Sequence, residues 1–252
     1  MERWRLEAGG WSRRWGALLV LAVCALFMLA GCSGGGDDDA IERQPAGEGV
    51  WGGFVFATDP VHVTVTPERP SVDWGGYEGA LTQHPGYRRF DTPEDLAAFV
   101  DGVLGDDAPV LVPRDLPEGA HLLDAYAIVV APDKIAQYGL EYALAGSDAH
   151  AGDGDIWILA DFTTQYPLVI STLVNPQPDS LGRKQLPVER VRIGDLHTIY
   201  QPYDSPPALD RSLRNRSAIS WFDGRVLRSV QTRDLSFDEQ AAIVRSFKRR
   251  AK

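Results

Sequence analysis

The sequence predicts an α+β domain in which a curved antiparallel sheet, built as a meander of hairpins, packs against two amphipathic helices. Three observations support this prediction. Two segments carry apolar residues at helical spacing, several segments alternate at strand spacing, and short turns rich in Gly and Asp separate neighbouring strands. The chain shows no strand–helix–strand alternation, so a doubly wound fold is not favoured.

The first predicted elements are a strand and a helix. Residues 61–66, VHVTVT, alternate apolar and polar side chains as a half-buried strand does, and the segment from Val72 to Arg89 is predicted as an aromatic-rich loop. The helix starts with Thr92 as N-cap and Pro93 in the first helical position, and Gly105 ends it. Its apolar stripe consists of Leu96, Phe99, Val100 and Val103.

The middle of the chain predicts three strands and a polar loop. Two largely apolar segments, Leu122 to Val130 and Tyr138 to Ala145, are predicted as strands. The polar sequence from Gly146 to Asp155 then forms a loop, and Ile156 to Phe162 returns as a strand.

Two short turns predict hairpins further along the chain. Gly194-Asp195 separates VERVRI from LHTIYQ, and Asp223-Gly224 separates AISWF from RVLRSV. With Asp223-Gly224 as a two-residue loop, Trp221 lies opposite Val226 and Ile219 opposite Arg228. The side of this hairpin expected to pack on the core carries Ile219, Trp221, Val226 and Val230.

A second helix is predicted at the C-terminal end. Ser236 and Glu239 have the spacing of a capping box, and Leu235 precedes them. Its apolar side consists of Phe237, Ala241, Ile243, Val244 and Phe247. Basic residues that complement the C-terminal helix dipole follow at Lys248, Arg249, Arg250 and Lys252.

The N-terminal residues predict an export signal. Four arginines within the first 15 residues precede an uncharged apolar run from Gly16 to Gly31, which is shorter than the roughly 20 residues of a membrane-spanning helix. The run ends in Leu29-Ala30-Gly31-Cys32. This sequence resembles the bacterial lipobox, and the resemblance implies cleavage between Gly31 and Cys32 with a lipid attached to the Cys32 thiol. The alternative is an uncleaved anchor helix with an incidental cysteine.

The lipobox resemblance implies a signal peptide at 1–31. The Gly-, Asp- and Glu-rich composition that follows, with few apolar residues, predicts a flexible acidic tether at 32–50 before an extracytoplasmic domain at 51–252. Residues 51–90 are a candidate N-terminal extension of that domain. A lipid on Cys32 would hold the protein at the extracytoplasmic side of the cell membrane. Export by the general or the twin-arginine route, and residence in an inner or outer membrane, both stay open.

Composition excludes several kinds of function. The 252-residue chain carries a net charge of −10, which argues against binding nucleic acid. Its two cysteines are Cys24, within the signal, and Cys32, so the mature domain has no thiol for nucleophilic catalysis, redox chemistry, disulfides or thiolate-bound metals.

The elements of residues 90–250 resemble a bacterial extracytoplasmic domain of unknown function, found in lipoproteins and in the outer parts of some anti-sigma factors. The resemblance rests on the helix FDTPEDLAAFV, the turn LPEG at 116–119, the hairpin around Gly194, Ile219-x-Trp221 before Asp223-Gly224, and the final helix LSFDEQAAIVRSF. It implies an α+β fold and supplies no catalytic residues.

No catalytic, cofactor-binding or metal-ligating residue is predicted. The best metal candidate combines His150 with Asp148, Asp153 and Asp155, but its spacing matches no calcium loop, and a solvated loop tip is the favoured interpretation. Asp37, Asp38 and Asp39 are interpreted as a solvated charge run. Five aromatic residues are candidates for a carbohydrate or peptide surface, although core packing is favoured: Trp74, Tyr77, Tyr87, Tyr200 and Tyr203.

These observations leave three functional hypotheses. The first is a non-enzymatic domain, anchored to the membrane through Cys32, that binds an envelope protein or other ligand or acts in sensing. The second is a carrier that holds a lipid or other apolar ligand in a cavity between the sheet and the helices. The third is an envelope hydrolase, which requires a cleft with convergent polar groups.

Overall fold

The structure, a computed structural model, describes residues 40–60, 81–105, 108–172, 178–210 and 213–247. Several predicted features therefore lie outside the described residues: the signal peptide, the lipobox-like sequence, the strand at 61–66 and the basic residues at the C-terminal end.

The described chain contains fourteen strands, two α-helices and a 3-10 helix at Leu81–Gln83. In chain order the larger elements are β1 (Ile41–Pro45), β2 (Gly49–Trp51), β3 (Phe54–Ala57), β4 (Tyr87–Phe90), α1 (Pro93–Leu104), β5 (His121–Ala131), β6 (Lys134–Ala143), β7 (Ile156–Asp161), β8 (Leu168–Ser171), β9 (Lys184–Gln185), β10 (Glu189–Ile193), β11 (Leu196–Gln201), β12 (Tyr203–Asp204), β13 (Ser217–Asp223), β14 (Val226–Thr232) and α2 (Phe237–Ser246).

Nine strands form one open antiparallel sheet in the order β1-β10-β11-β13-β14-β7-β6-β5-β4. A second sheet, β2-β3-β8, includes one parallel pair between β3 and β8, and β12 pairs with β9. The α+β class predicted from the sequence is therefore confirmed.

Both predicted helices form, with the expected ends. The Thr92 hydroxyl accepts a hydrogen bond from the Asp95 amide at the start of α1, and Gly105 caps its other end at φ 67°. At α2 the Ser236 and Glu239 side chains form the reciprocal capping box. These local hydrogen bonds are encoded within a few residues, which explains why the sequence predicts them.

The hairpin between β13 and β14 corrects the predicted register. Asp223 pairs with Val226, so the loop residues are Gly224 and Arg225, and Trp221 lies opposite Arg228. Gly224 has φ 61°, as suits a glycine in the first position of a two-residue turn. The shift is two residues, so each side chain keeps its face, and the predicted core-facing set of Ile219, Trp221, Val226 and Val230 is buried.

Two further boundaries differ from the prediction. Residues 87–89, predicted as loop, form the edge strand β4 against β5 together with Phe90. Gly86 lets the chain enter this strand, because a Cβ at Gly86 would lie 1.8 Å from the Val129 carbonyl oxygen. The strand predicted from Tyr138 begins instead at Lys134, since Ala131 and Lys134 close a long hairpin between β5 and β6.

The tether prediction is wrong for residues 41–45 and 49–50. Ile41–Pro45 forms β1 and pairs along its whole length with β10, and Gly49–Trp51 forms β2. The charged sequence IERQP suits a strand at the edge of a sheet, where most side chains face solvent. The folded domain thus begins at β1 rather than at Trp51.

The nine-stranded sheet has two different faces. One packs on α1 and α2 through the main core, which includes Leu96, Val100, Ile219, Trp221 and Val244. On the other face, Ile199 and the partly buried Phe222 pack against Phe54 and Phe56 of the small sheet. Farther along that face, polar and charged side chains of β5 and β6 are buried.

Candidate functional site

Two buried carboxylates lie directly opposite each other on the sheet face away from the helices. Asp124 on β5 pairs in register with Glu141 on β6, and each residue is only 2% exposed. Directly opposite side chains on neighbouring strands are close, with Cβ atoms about 5 Å apart. A pair of buried acids costs free energy unless hydrogen bonds or charges compensate it.

Asp124 is compensated by two residues of β4. The Tyr87 hydroxyl donates a hydrogen bond to Asp124 Oδ2, and Arg89 Nε lies 3.1 Å from Asp124 Oδ1. The Tyr87 ring stacks on Tyr126 at a centroid distance of 5.4 Å, and Gln137 donates to the Tyr126 hydroxyl at 2.9 Å. Burial raises the pKa of Tyr126 and of Tyr87, so both stay protonated at neutral pH.

Glu141 is compensated by backbone amides of the loop after β6. Its Oε2 accepts a hydrogen bond from the Gly152 amide at 2.7 Å, and its Oε1 accepts one from the Gly154 amide. Burial is the largest influence on this carboxyl and raises its pKa, and the neighbouring Asp124 charge acts in the same direction. Gly154 is required here, since a Cβ would lie 2.3 Å from Glu141 Cγ.

The loop at 146–155 is held by further polar contacts. The Asp155 carboxylate accepts a hydrogen bond from the Leu144 amide at 2.8 Å, and Arg233 Nη1 donates to Asp153 Oδ1. His150 and Asp148 are exposed near the loop tip. Asp153 and Asp155, two of the four candidate metal ligands, are thus engaged in structural contacts. Within the described ranges no three acidic, His or Cys side chains are grouped to hold a metal ion.

The raised pKa of Glu141 predicts how stability depends on pH. Protonated Glu141 is favoured in the folded state, so its stabilisation is fully present below the usual glutamate pKa and is lost as pH rises through the folded value. Glu141→Gln cannot titrate. We expect the stability of the natural protein to fall relative to that of the variant as the pH rises above about 4.5, the usual glutamate pKa.

This difference is measured by urea unfolding of both proteins across the pH range. Glu118→Gln, a change on the turn before β5, is the matched control and should keep the natural pH profile. If the stability of the natural protein and that of Glu141→Gln changed with pH in parallel, the raised pKa of Glu141 would be contradicted.

An open groove lies beside the edge strand β1. It has a volume of about 580 Å³ and a mostly apolar lining that includes Pro45, Leu186, Val188, Tyr200 and Phe237. The Arg43 guanidinium lies 4.1 Å from the centre of the Phe237 ring, and Arg43 Nε donates to Glu189 at 2.7 Å. The groove is thus an apolar surface with one ion pair.

The described members of the candidate aromatic set, for which core packing is the favoured interpretation, belong to separate elements. Tyr87 on β4 contacts Asp124, Tyr200 on β11 packs edge-on against Phe237, and Tyr203 lies on β12. Trp74 and Tyr77 lie outside the described residues. Among the three described members of this set, Tyr200 alone lines the β1 groove.

Sequence reasoning missed the buried charged residues Asp124, Glu141 and Arg228. Each stands within a segment that is otherwise largely apolar: LLDAYAIVV, YGLEYALA and VLRSV. A charged residue inside such a strand is a signal of a buried polar site, because burial requires a partner. The partners come from distant elements, which the sequence pattern alone does not identify.

Comparison with known proteins gives no match: no protein-family model, no curated protein and no solved structure is similar to this chain. Gly31 and Cys32 lie outside the described residues. Neither helix in the described part of the chain is long and apolar enough to cross a bilayer.

Proposed function

We propose that this protein is a lipoprotein anchored through Cys32 at the extracytoplasmic side of the cell membrane, and that its domain binds a partner or ligand there without catalysing a reaction. The observation that carries this proposal is the sequence Leu29-Ala30-Gly31-Cys32 at the end of a short apolar run that follows four arginines.

The position of β1 sets the reach of the anchor. Residues 33–40 separate Cys32 from Ile41, the first residue of β1. Even fully extended, this connection spans about 30 Å. An anchored Cys32 would therefore keep the β1 edge of the sheet close to the membrane surface, whereas a tether extending to residue 50 would allow about twice that distance.

The β1 groove is the surface that best suits a binding function. It is open, predominantly apolar and formed in part by the strand that follows the anchor. Its Arg43–Glu189 ion pair offers a polar contact beside the apolar lining. Pockets with apolar walls and a few polar groups are typical of binding sites.

The space between the sheet and the helices gives less support to a carrier function. The void beside Trp221 measures about 10 Å³, which is room for about one water molecule. An acyl chain does not fit in this void. The open β1 groove is the better candidate if the ligand is apolar.

The proposal is tested by replacing the lipidated cysteine. Cys32→Ala should abolish incorporation of a labelled fatty acid and cleavage of residues 1–31, and Cys24→Ala is the matched control that should preserve both. The readouts are label in the purified protein and its mass. Membrane fractionation alone does not distinguish the alternatives, because an uncleaved variant keeps its apolar segment. Unchanged labelling of Cys32→Ala would refute the proposal.

A further inference from the structure

Much of the backbone around the β1 groove is unable to bind a polar ligand. The described lining includes Pro45, Pro187 and Pro202, which have no backbone N–H. The Leu186 amide donates to the Pro202 carbonyl oxygen, and the Val188 carbonyl oxygen accepts a hydrogen bond from another backbone amide, both at 3.1 Å. A peptide in this groove would leave part of its own backbone unpaired, whereas a hydrocarbon chain has no such groups. The lining therefore favours a hydrocarbon ligand.

The size of the groove suits a lipid chain. Its volume of about 580 Å³ lies within the range of about 300–1,000 Å³ that is typical of small-ligand sites. Tyr200 and Phe237, which form part of the lining, are each 8% exposed and pack edge-on against each other. The groove is thus formed in part by packed side chains of the core.

A pair of opposite charges also lines the groove. Arg43 Nε and Nη2 donate to the two carboxylate oxygens of Glu189 at 2.7 and 2.9 Å, and the two side chains are 42% and 26% exposed. This pair has no net charge but presents one positive and one negative group. A zwitterionic headgroup is complementary to it, whereas the net charge of −10 on the chain disfavours an anionic headgroup.

The length of chain between Cys32 and β1 determines which source of hydrocarbon is within reach. Residues 33–40 span about 30 Å when fully extended, and Arg43 lies two residues beyond Ile41, so the groove lies within about 37 Å of Cys32. The opposite edge of the sheet, β4, is eight strands away from β1, which is about 38 Å across the sheet. An anchored Cys32 therefore keeps the β1 groove, rather than the β4 edge, near the bilayer.

We propose that the β1 groove binds one acyl chain of a zwitterionic phospholipid from the bilayer in which Cys32 is anchored, with the headgroup beside Arg43 and Glu189. This inference rests on the proposed function, because the anchor brings the groove to the bilayer. It names the ligand that the domain binds there.

The test uses the full chain, purified from membranes and reconstituted into phosphatidylcholine vesicles. A small fraction of the phosphatidylcholine carries a photoactivatable diazirine near the methyl end of one acyl chain. That end lies deep in the bilayer unless the chain leaves it, so contact with headgroups alone does not label the domain. After irradiation we expect label on peptides that contain residues 43–45 and 186–189, and only background label on peptides from β4 and α1.

Two variants separate groove binding from general contact with the membrane. Leu186→Glu places a charge in the apolar lining and should lower the label on the groove peptides about tenfold. Leu186 belongs to neither described core cluster, so the variant should still fold. Leu181→Glu is the matched control, because Leu181 is 39% exposed and is not among the groove residues, and it should keep the natural label.

The mass of the N-terminal peptide from the same sample shows which proposal fails. Background label on the groove peptides of a chain with an acylated Cys32 would overturn the groove inference alone, and this is the result expected if the groove takes a peptide. Equal label in the natural protein and Leu186→Glu would also overturn it. An unacylated Cys32 would overturn the proposed function and this inference with it.

Discussion

Trp221→Ala is expected to lower the free energy of unfolding by about 3–5 kcal/mol. Trp221 is 4% exposed, and its ring centre lies 6.1 Å from that of Phe247 at the end of α2. The ring lies between the sheet and this helix, so its removal leaves a cavity and frees one side of α2. Removal of the ring also enlarges the void beside Trp221, since the ring forms part of the lining of that void.

The loss is measured by guanidinium unfolding of the natural protein and the variant. Val50→Ala is a suitable control, because Val50 is exposed and its truncation should change stability by less than about 0.5 kcal/mol. A loss below about 1 kcal/mol for Trp221→Ala would show that the ring is not packed between the sheet and α2.

Removal of β1 is expected to have the second-largest effect. A chain that begins at Ala46 should be about 2–4 kcal/mol less stable than one that begins at Ala40, because it loses the β1–β10 hydrogen bonds and the packing of Ile41 on the core. It also loses the hydrogen-bonded ion pair between Arg43 and Glu189.

The two shortened chains are compared by denaturant unfolding and by hydrogen exchange in β10. Exchange of β10 amides should accelerate when β1 is absent, while exchange in β5 and β6 serves as the internal control. Equal stability and equal exchange in the two chains would restore the original prediction that residues 32–50 form a tether.

The sequence predicted elements whose signals are local. The caps at Thr92 and Ser236 lie within three residues of their partners, and the Asp223-Gly224 sequence located the hairpin to within two residues. The core-facing side of that hairpin was correct despite the shifted register, because side chains alternate with a period of two.

The edge strands β1 and β4 were not predicted from the sequence, and the reason is physical. β1 and β4 have charged side chains facing solvent, so neither shows the alternation that marks a half-buried strand. Their place in the sheet depends on pairing with β10 and β5 respectively, and β10 lies more than 140 residues from β1. Long-range pairing is not visible in a local sequence window.

The partners of the buried charged residues were not predicted for the same reason, because they are distant in the sequence. Asp124 and Glu141 come together only when β5 pairs with β6, and Arg228 meets Tyr138 only across the sheet. The reverse holds for the proposed anchor: lipidation of Cys32 is predicted from the sequence alone, because the residues before it resemble those that a signal peptidase recognises.

The most direct measurement of the central claim is the mass of the N-terminal peptide of the protein purified from membranes. We predict a chain that begins at Cys32 and carries a diacylglycerol on its thiol. A mature chain with an unmodified Cys32 thiol, or one that retains residues 1–31, would contradict the account.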